Sequence, residues 1–512
     1  MLLRSSHAVR PALTRFTFSG VVSCRHFTAS SVATNLDQST LPPPPPPPPP
    51  APPFRGFTKL NHRSLFAIGG PDSSKFLNGI VTNKIVDPEE AEFDDTEPIF
   101  AAFLNSKGRM LAESFIYPIH SNTHLRELLT PLLPQIKSHG KIVEDNEAEY
   151  LVDCDTEMAK QLFTNLKLYK LRSQVSVAQV PATTISQWAV WDDTSVAEVF
   201  PLEDARNLAL YNPSTHHQAG SFPDVRSPGF GLRLLLPGDL TPLDVLSESF
   251  VNAGTAVEGG ADVPELKLQQ TTLSSYHIRR ILFGIPEGAA ELTPARALPL
   301  ESCIDYMQGV NFNKGCYVGQ ELTIRSHHHG VVRKRIIPVV LYSPSKSLAE
   351  QQQEEEEEVD LAYDPDSPIS KVVDTSQCLI GGNIIDVKPA PSPEESSDAT
   401  AAGATGGDSA DAPPSPFSGA SPFGPRKPRR TASRKTGASG EAGSNGDDGL
   451  VARSRPVGSI ISAVGNIGLA LVRLEQFGAP DAKLAVSVLD PVTHEARYIR
   501  VRGFQPFWWP QE

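Results

Sequence analysis

Apolar residues cluster in short runs between about residues 55 and 345, and again between about 455 and 509, with long polar stretches elsewhere. His62–Ile68 reads as a strand, and Gly69-Gly70-Pro71-Asp72 as a turn and helix start. Phe76, Leu77, Ile80 and Val81 then recur at helical spacing. Ile99–Leu104 and Met110–Tyr117 predict a β-hairpin around Asn105-Ser106-Lys107-Gly108. Leu125–Ile136 and Met158–Leu166 read as helices, the former interrupted by Pro131 and Pro134. Gln174–Val180 and Ile185–Trp191 read as strands, and Pro264–Phe283 as one long helix. Val331–Tyr342 is a strand that opens a small β-barrel, completed by Cys378–Val387, Val457–Leu474, Ala485–Leu489 and Ala496–Gly503. Strands and helices mixed in this way predict an α+β protein.

The polar stretches divide the chain. Pro42 to Pro50 is an unbroken proline run of extended polyproline II, either a stiff spacer or a ligand for an aromatic groove, and the spacer is favoured. Two segments, 343–367 with its acidic run Glu354–Glu358, and 389–454, rich in Ser, Ala, Gly and Pro, interrupt the barrel. Neither has the apolar content to offset the entropy of ordering it. The basic cluster Arg426-Lys427-Pro428-Arg429-Arg430 has no interleaved aromatic residues, and the net charge is −13, so a nucleic-acid partner is not expected. No apolar run approaches the length of a membrane span. Five scattered cysteines without a C-x-x-C pair suggest reduced thiols. Residues 1–34 carry Arg4, Arg10, Arg15 and Arg25 with no acidic residue before Asp37, the composition of a mitochondrial presequence, so the mitochondrial matrix is the expected compartment. Residues 35–54 are then a proline-rich linker.

The densest chemistry lies in Lys314-Gly315-Cys316-Tyr317-Val318-Gly319-Gln320-Glu321. A thiol beside an ammonium is favoured as thiolate, and the two glycines permit φ > 0 and close approach of a ligand. This string resembles the signature of the folate-binding family related to the glycine-cleavage T-protein, and within it the branch of mitochondrial iron–sulfur cluster assembly factors. Arg279–Pro286, Leu298–Glu301, Thr323–Gly330, Ala101–Arg109 and Asp224-Val225-Arg226 with Leu232-Arg233 also resemble segments of that branch, in the same order along the chain.

The resemblance implies an aminomethyltransferase-like folate-binding fold with a central cavity over residues 55–330, followed by a C-terminal β-barrel domain over 331–509. It implies assembly or transfer of [4Fe–4S] clusters to aconitase-type and lipoate-synthase-type enzymes, together with A-type iron–sulfur scaffold proteins. Tetrahydrofolate or a related folate is the expected cofactor, and no permanently bound metal is expected. Lys314 and Cys316 become the leading functional residues, Lys314 as partner of a carboxylate and Cys316 as thiolate or transient iron ligand. One cysteine cannot hold a cluster alone, so a partner must supply the other ligands. Tyr317, Gln320, Glu321 and Arg109 are expected at the folate or supporting the loop, and Arg109, Arg226 and Arg233 in organising the cleft or its salt bridges. His327 and His329, on one face of a strand, are weighed as metal ligands against a surface cluster, which is favoured. Arg325, Arg333, Lys334 and Arg335 are candidates for a polyglutamate tail. The first hairpin carries alanine, Ala112, where the T-protein has its first aspartate. The alternative function, a tetrahydrofolate-dependent one-carbon transferase, therefore needs a substitute such as Glu113.

Overall fold

The computed structural model describes residues 47–510, apart from 86–96, 139–140, 144–145, 195–209, 253–266, 344–358, 371–378, 390–449, 453–455, 478–482 and 490–495. The presequence region, Cys24, Cys378, the Glu354–Glu358 run and the Arg426 cluster lie outside the described residues.

The first apolar runs form a five-stranded antiparallel sheet in the order Ile99–Leu104, Met110–Pro118, Ala148–Asp155, Arg63–Gly69, Ser176–Val180. Alternation along these strands feeds two cores at once. Phe66, Ile68, Ala101 and Phe103 join helices Ser73–Ile80 and Ala159–Lys170 on one side, whereas Leu65, Ala67, Phe100 and Ala102 face the main core on the other. A second sheet runs Gly220–Pro223, Leu232–Pro237, Ile185–Asp192, Arg55–Lys59, Gln269–Gln270, with only the last pairing parallel.

The expected barrel is present and closed. Asn383–Pro389, Gly458–Val464, Ile467–Arg473, Lys334–Tyr342, Ala496–Gly503 and Leu484–Leu489 pair in sequence, and the last returns to the first through Ile384 opposite Val486. Closure leaves the ring without an edge to aggregate. Gly465, at φ +57°, and Asn466 make its tight central turn between Val464 and Ile467.

Several elements differ from expectation. Helix Pro264–Phe283 contracts to Leu273–Leu282, because Gln269–Gln270 pairs with Arg55–Lys59 instead of entering the helix. The Leu125–Ile136 helix stops at Leu129, after which Pro131 occupies a single tight turn, Thr130–Leu132. The interruptions of the barrel are smaller than composition suggests. Val359, Leu361 and Tyr363 pack on the main core and Ile369 is buried, so 359–367 belongs to the folded domain. In the second interruption, Leu450–Ala452 pairs with Val387–Pro389. In 359–369 a few apolar side chains within an otherwise polar stretch were enough to dock the loop.

Between the two sheets lies a buried ion network. Arg63 forks onto Asp153 (2.7 and 3.1 Å) and reaches Glu113 at 2.5 Å. Arg226 forks onto Asp224 (2.9 and 2.8 Å) and meets Glu287 at 2.5 Å. Arg233 bridges the two sides, touching Asp224 (2.9 Å), Asp153 (3.1 Å) and Glu287 (3.3 Å). The Tyr276 hydroxyl donates to Glu287 at 2.6 Å, and His62 Nε2 lies 2.7 Å from the other oxygen of that carboxylate. Burial alone would raise the Glu287 carboxyl, but Arg226, the His62 hydrogen bond and Arg63 outweigh it and hold it well below the usual carboxylate range. Asp224 is likewise lowered, burial being outweighed by Arg226 and Arg233. Glu113 goes the other way: burial raises it, and Arg63 offsets only part of that.

Because Glu287 and Asp224 are depressed in the fold, their stabilisation is present above the unfolded carboxyl range of about pH 4 and is lost as pH falls towards their folded values. Glu287→Gln should destabilise the protein at neutral pH by about 3–5 kcal/mol, since it leaves Arg226 and Arg233 under-compensated in the interior. It should also make the acid limb of a thermal-midpoint-versus-pH curve shallower. An acid limb as steep as that of the wild type would place the acid-sensitive group elsewhere.

Candidate functional site

The signature segment is built onto the end of helix Ser73–Ile80. Such an end leaves backbone carbonyls without intrahelical donors. Lys314 supplies them: its Nζ donates to the carbonyls of Asn78 (2.6 Å), Val81 (2.8 Å) and Asn83 (2.6 Å). Three further contacts zip the same stretches together, from Thr82 Oγ1 to the Gly309 carbonyl (2.6 Å), Asn83 Nδ2 to the Gln308 carbonyl (2.8 Å) and Val318 N–H to the Gly79 carbonyl (3.1 Å). Burial pushes the Lys314 pKa down to about 7. A lysine so shifted is a candidate base or nucleophile, but its geometry argues otherwise: three carbonyl acceptors use all three protons of an ammonium. Lys314 is a cap. It is not free to pair with a ligand carboxylate, as the sequence suggested.

The other end of the loop is fixed against the first hairpin. Gly319 has φ +81°, and a Cβ there would strike the Asn105 carbonyl and Leu104. Gly108, at φ +75°, is equally confined, with Leu322 Cβ 2.8 Å and the Gly319 carbonyl 2.9 Å from where its own Cβ would stand. These two glycines let the hairpin turn and the signature loop touch backbone to backbone. Gly315 is different. It has no positive φ and open space around it, so neither reason for glycine applies there.

Between the two anchors Cys316 is exposed, with a free thiol. Cys154 and Cys303 are also free but buried, and burial raises both thiols, Cys303 to about 12. Only Cys316 among the described cysteines therefore presents sulfur to a partner.

The remaining candidates are dispersed. The Tyr317 ring is buried, with the Lys314 ammonium 4.9 Å from its centre. Gln320 Oε1 accepts from the Tyr317 N–H at 3.1 Å, and Glu321 is exposed on the first turn of helix Gln320–His329. Arg109 donates to the Arg296 carbonyl at 2.5 Å. Lys314, Gln320 and Arg109 thus serve the protein's own backbone, Tyr317 is enclosed, and Glu321 stands apart. This set does not fit a folate.

Arg226 and Arg233 are found in salt bridges, in the buried network rather than at an open cleft. Glu113, the substitute carboxylate, is 2% exposed and paired with Arg63 and the Gly288 N–H (3.1 Å), so it is enclosed where a one-carbon transferase would need it at the substrate. Arg335 is withdrawn from the polyglutamate candidates: it forks onto Asp305 (2.9 Å twice) and lies 3.6 Å over the Tyr306 ring. The three histidines lie on a helix and not a strand, so His327 and His329 do not share a face. His327 stacks on Phe312 at 3.6 Å, and among the described residues no group of three ligand-type side chains converges.

In the ion network Arg63, Asp153, Tyr276 and Glu287 had no role assigned from the sequence, unlike Glu113, Arg226 and Arg233. A signal was present: Asp153 interrupts Leu151-Val152-Cys154, and Glu113 interrupts Leu111-Ala112-Ser114-Phe115. A charge inside an apolar strand needs a buried counter-charge.

The chain is similar to several known proteins. Residues 435–511 match the family described as "CAF17, C-terminal beta-barrel domain". The chain is 37% identical over 292 residues to the mitochondrial iron-sulfur cluster assembly factor IBA57 homolog of Coccidioides immitis, covering 57% of this chain and 58% of that protein. It is 34% identical over 357 residues to the protein of the same name from Aspergillus fumigatus, covering 68% and 72%. It thus spans less than two thirds of the length of the first relative. Among solved structures, the glycine cleavage system aminomethyltransferase T from Bartonella henselae aligns with a TM-score of 0.44 at 11% identity, over 89% of this chain and 86% of that one.

Two results should follow from this geometry. With Cys24 and Cys378 replaced by serine, a maleimide should modify Cys316 in the native protein, and Cys154 and Cys303 only after denaturation. Rapid native labelling of Cys303 would mean that the barrel junction opens. Gly319→Ala should lower stability by about 1–3 kcal/mol or more, measured by chemical denaturation, because the left-handed φ and the carbonyl contact act together. Gly315→Ala should be close to neutral.

Proposed function

This chain belongs to the family of mitochondrial iron-sulfur cluster assembly factors named IBA57 homologs, and from that premise we propose that it is a mitochondrial matrix factor for assembly or transfer of [4Fe–4S] clusters. The observation that supports this reading is the placement of Cys316. Its exposed thiol stands on a loop fixed at one end by Lys314 and at the other by Gly319. A thiolate held on a rigid loop at the surface can enter the coordination of a cluster that a second protein carries, without the cost of ordering the loop on contact.

The cluster is cargo in this scheme. Cys316 supplies one ligand, and an A-type scaffold protein or the client supplies the rest. Clients of the aconitase and lipoate-synthase type are the proposed recipients. No step passes through folate, because of the residues expected to hold it Lys314, Gln320 and Arg109 are engaged by the protein's own backbone and Tyr317 is enclosed, which leaves Glu321 alone, and with Glu113 buried beside Arg63 no observation favours one-carbon transfer.

The test is rescue of mitochondria depleted of the protein, by the full chain or by Cys316→Ser. Wild type should restore aconitase activity and protein lipoylation, while a [2Fe–2S] enzyme stays unaffected throughout. Cys316→Ser should fold with an unchanged thermal midpoint, since its side chain is exposed, and should restore at most about a tenth of either activity. Normal [4Fe–4S] enzymes after depletion would remove the assembly reading. Equal rescue by both forms would remove the role of the thiol.

A further inference from the structure

The described end of the proline run is not free. The Tyr363 hydroxyl donates to the Pro49 carbonyl at 2.6 Å, and the Trp191 indole N–H to the Pro53 carbonyl at 3.0 Å. Immediately beyond, the Asp193 N–H donates to the Phe54 carbonyl at 2.7 Å. Polyproline II makes no internal hydrogen bonds, so every carbonyl is available, and proline's fixed φ orders the segment before it docks. Aromatic side chains bearing an N–H or O–H suit such a ligand, offering a flat apolar surface and one donor.

Both aromatics are held in place. Trp191 is fully buried on strand Ile185–Asp192, and its indole lies so close to Gly56 that a Cβ there would stand 2.5 Å from the ring and 3.2 Å from Pro53 Cγ. Tyr363 belongs to the folded part of the first interruption. The Asn466 side chain grips that loop from both directions, donating to the Ala362 carbonyl (2.9 Å) and accepting from the Asp364 N–H (2.8 Å). The Ser370 hydroxyl closes it onto the Asp364 carbonyl at 3.0 Å. Gly465, the glycine of the barrel turn, leaves room for the tyrosine ring, which would lie 2.7 Å from a Cβ at that position.

The two donors come from different parts of the molecule, Trp191 from the second sheet and Tyr363 from a loop of the barrel domain. The five residues from Pro49 to Pro53 would span about 12 Å over four steps of polyproline II, so a stiff segment gripped at both ends acts as a strut between them. A passive spacer would leave these carbonyls to water.

We propose that Tyr363 and Trp191 form a polyproline-recognition site whose resident ligand is the chain's own Pro49–Pro53, and that the site takes a proline-rich peptide in trans when the resident is removed. The interruption that carries Tyr363 is thereby part of a binding site, and Pro49–Pro53 is its ligand.

The test replaces Pro42–Pro53 in the full chain by an equally long Gly/Ser sequence, which removes the resident at both Tyr363 and Trp191, and follows amide hydrogen exchange at residues 359–370. A Gly/Ser chain keeps its carbonyls but loses the fixed φ that orders them, so the hydrogen bond to Tyr363 should form only transiently and exchange there should accelerate by at least about fivefold. A synthetic peptide corresponding to residues 41–54 should restore the protection in this variant and leave the wild type unchanged. Adding Tyr363→Phe, which keeps the ring and removes the donor, should weaken that peptide's binding by about fivefold. Unchanged exchange after the replacement would overturn the resident contact. Faster exchange that the peptide does not restore would overturn the recognition site.

Discussion

Three arginines, four carboxylates, a tyrosine and a histidine meet between the two sheets, and the rest of the fold is arranged around keeping that group dry and paired. Arg63, Glu113 and Asp153 come from the first sheet, Arg233 from a strand of the second, Asp224 and Arg226 from the turn that enters that strand, and Tyr276 and Glu287 from the helical segment that leads towards the barrel. Charges removed from water are tolerated only with close, complete pairing. Each element must therefore sit in one register, which sets the relative placement of the sheets more tightly than apolar packing would. The opposite shifts of Glu113 and Glu287 show how finely charge is divided: one carboxylate is held firmly ionised, while the other, meeting a single arginine, is pushed towards its neutral form.

The signature loop uses the same physics at smaller scale. Lys314 satisfies main-chain carbonyls at a helix end, and Gly319 meets the hairpin turn without a side chain between them. Most of the polar atoms in the string are consumed in building the loop. What is left facing outward is the Cys316 thiol, with Glu321 on the helix that follows. A string of reactive residue types need not be a string of reactive groups, and here the structural demands of the turn account for most of it.

The polar interruptions of the barrel show a different economy. Segment 359–370 supplies Val359, Leu361 and Ile369 to the core and Tyr363 to the proline strut. Average composition over a long stretch dilutes such residues below notice, although a handful of contacts suffices to fix a short loop.

Period and turn chemistry made the elements legible in the sequence. The hairpin at Asn105–Gly108, the strand Ile185–Asp192 and the closing strand Ala496–Gly503 follow from alternation and glycine placement, and the barrel is what the family resemblance implies for the C-terminal strands. The string Lys314–Glu321 was likewise enough to identify the family. Tertiary structure alone decided which charged residues pair, that Lys314 caps a helix more than two hundred residues away, that the histidines ride on a helix, and that the proline run is held at Pro49. The reason is range. Secondary structure responds to neighbours within a few positions, whereas the partner of a buried charge or an open carbonyl is chosen by the folded surface that reaches it.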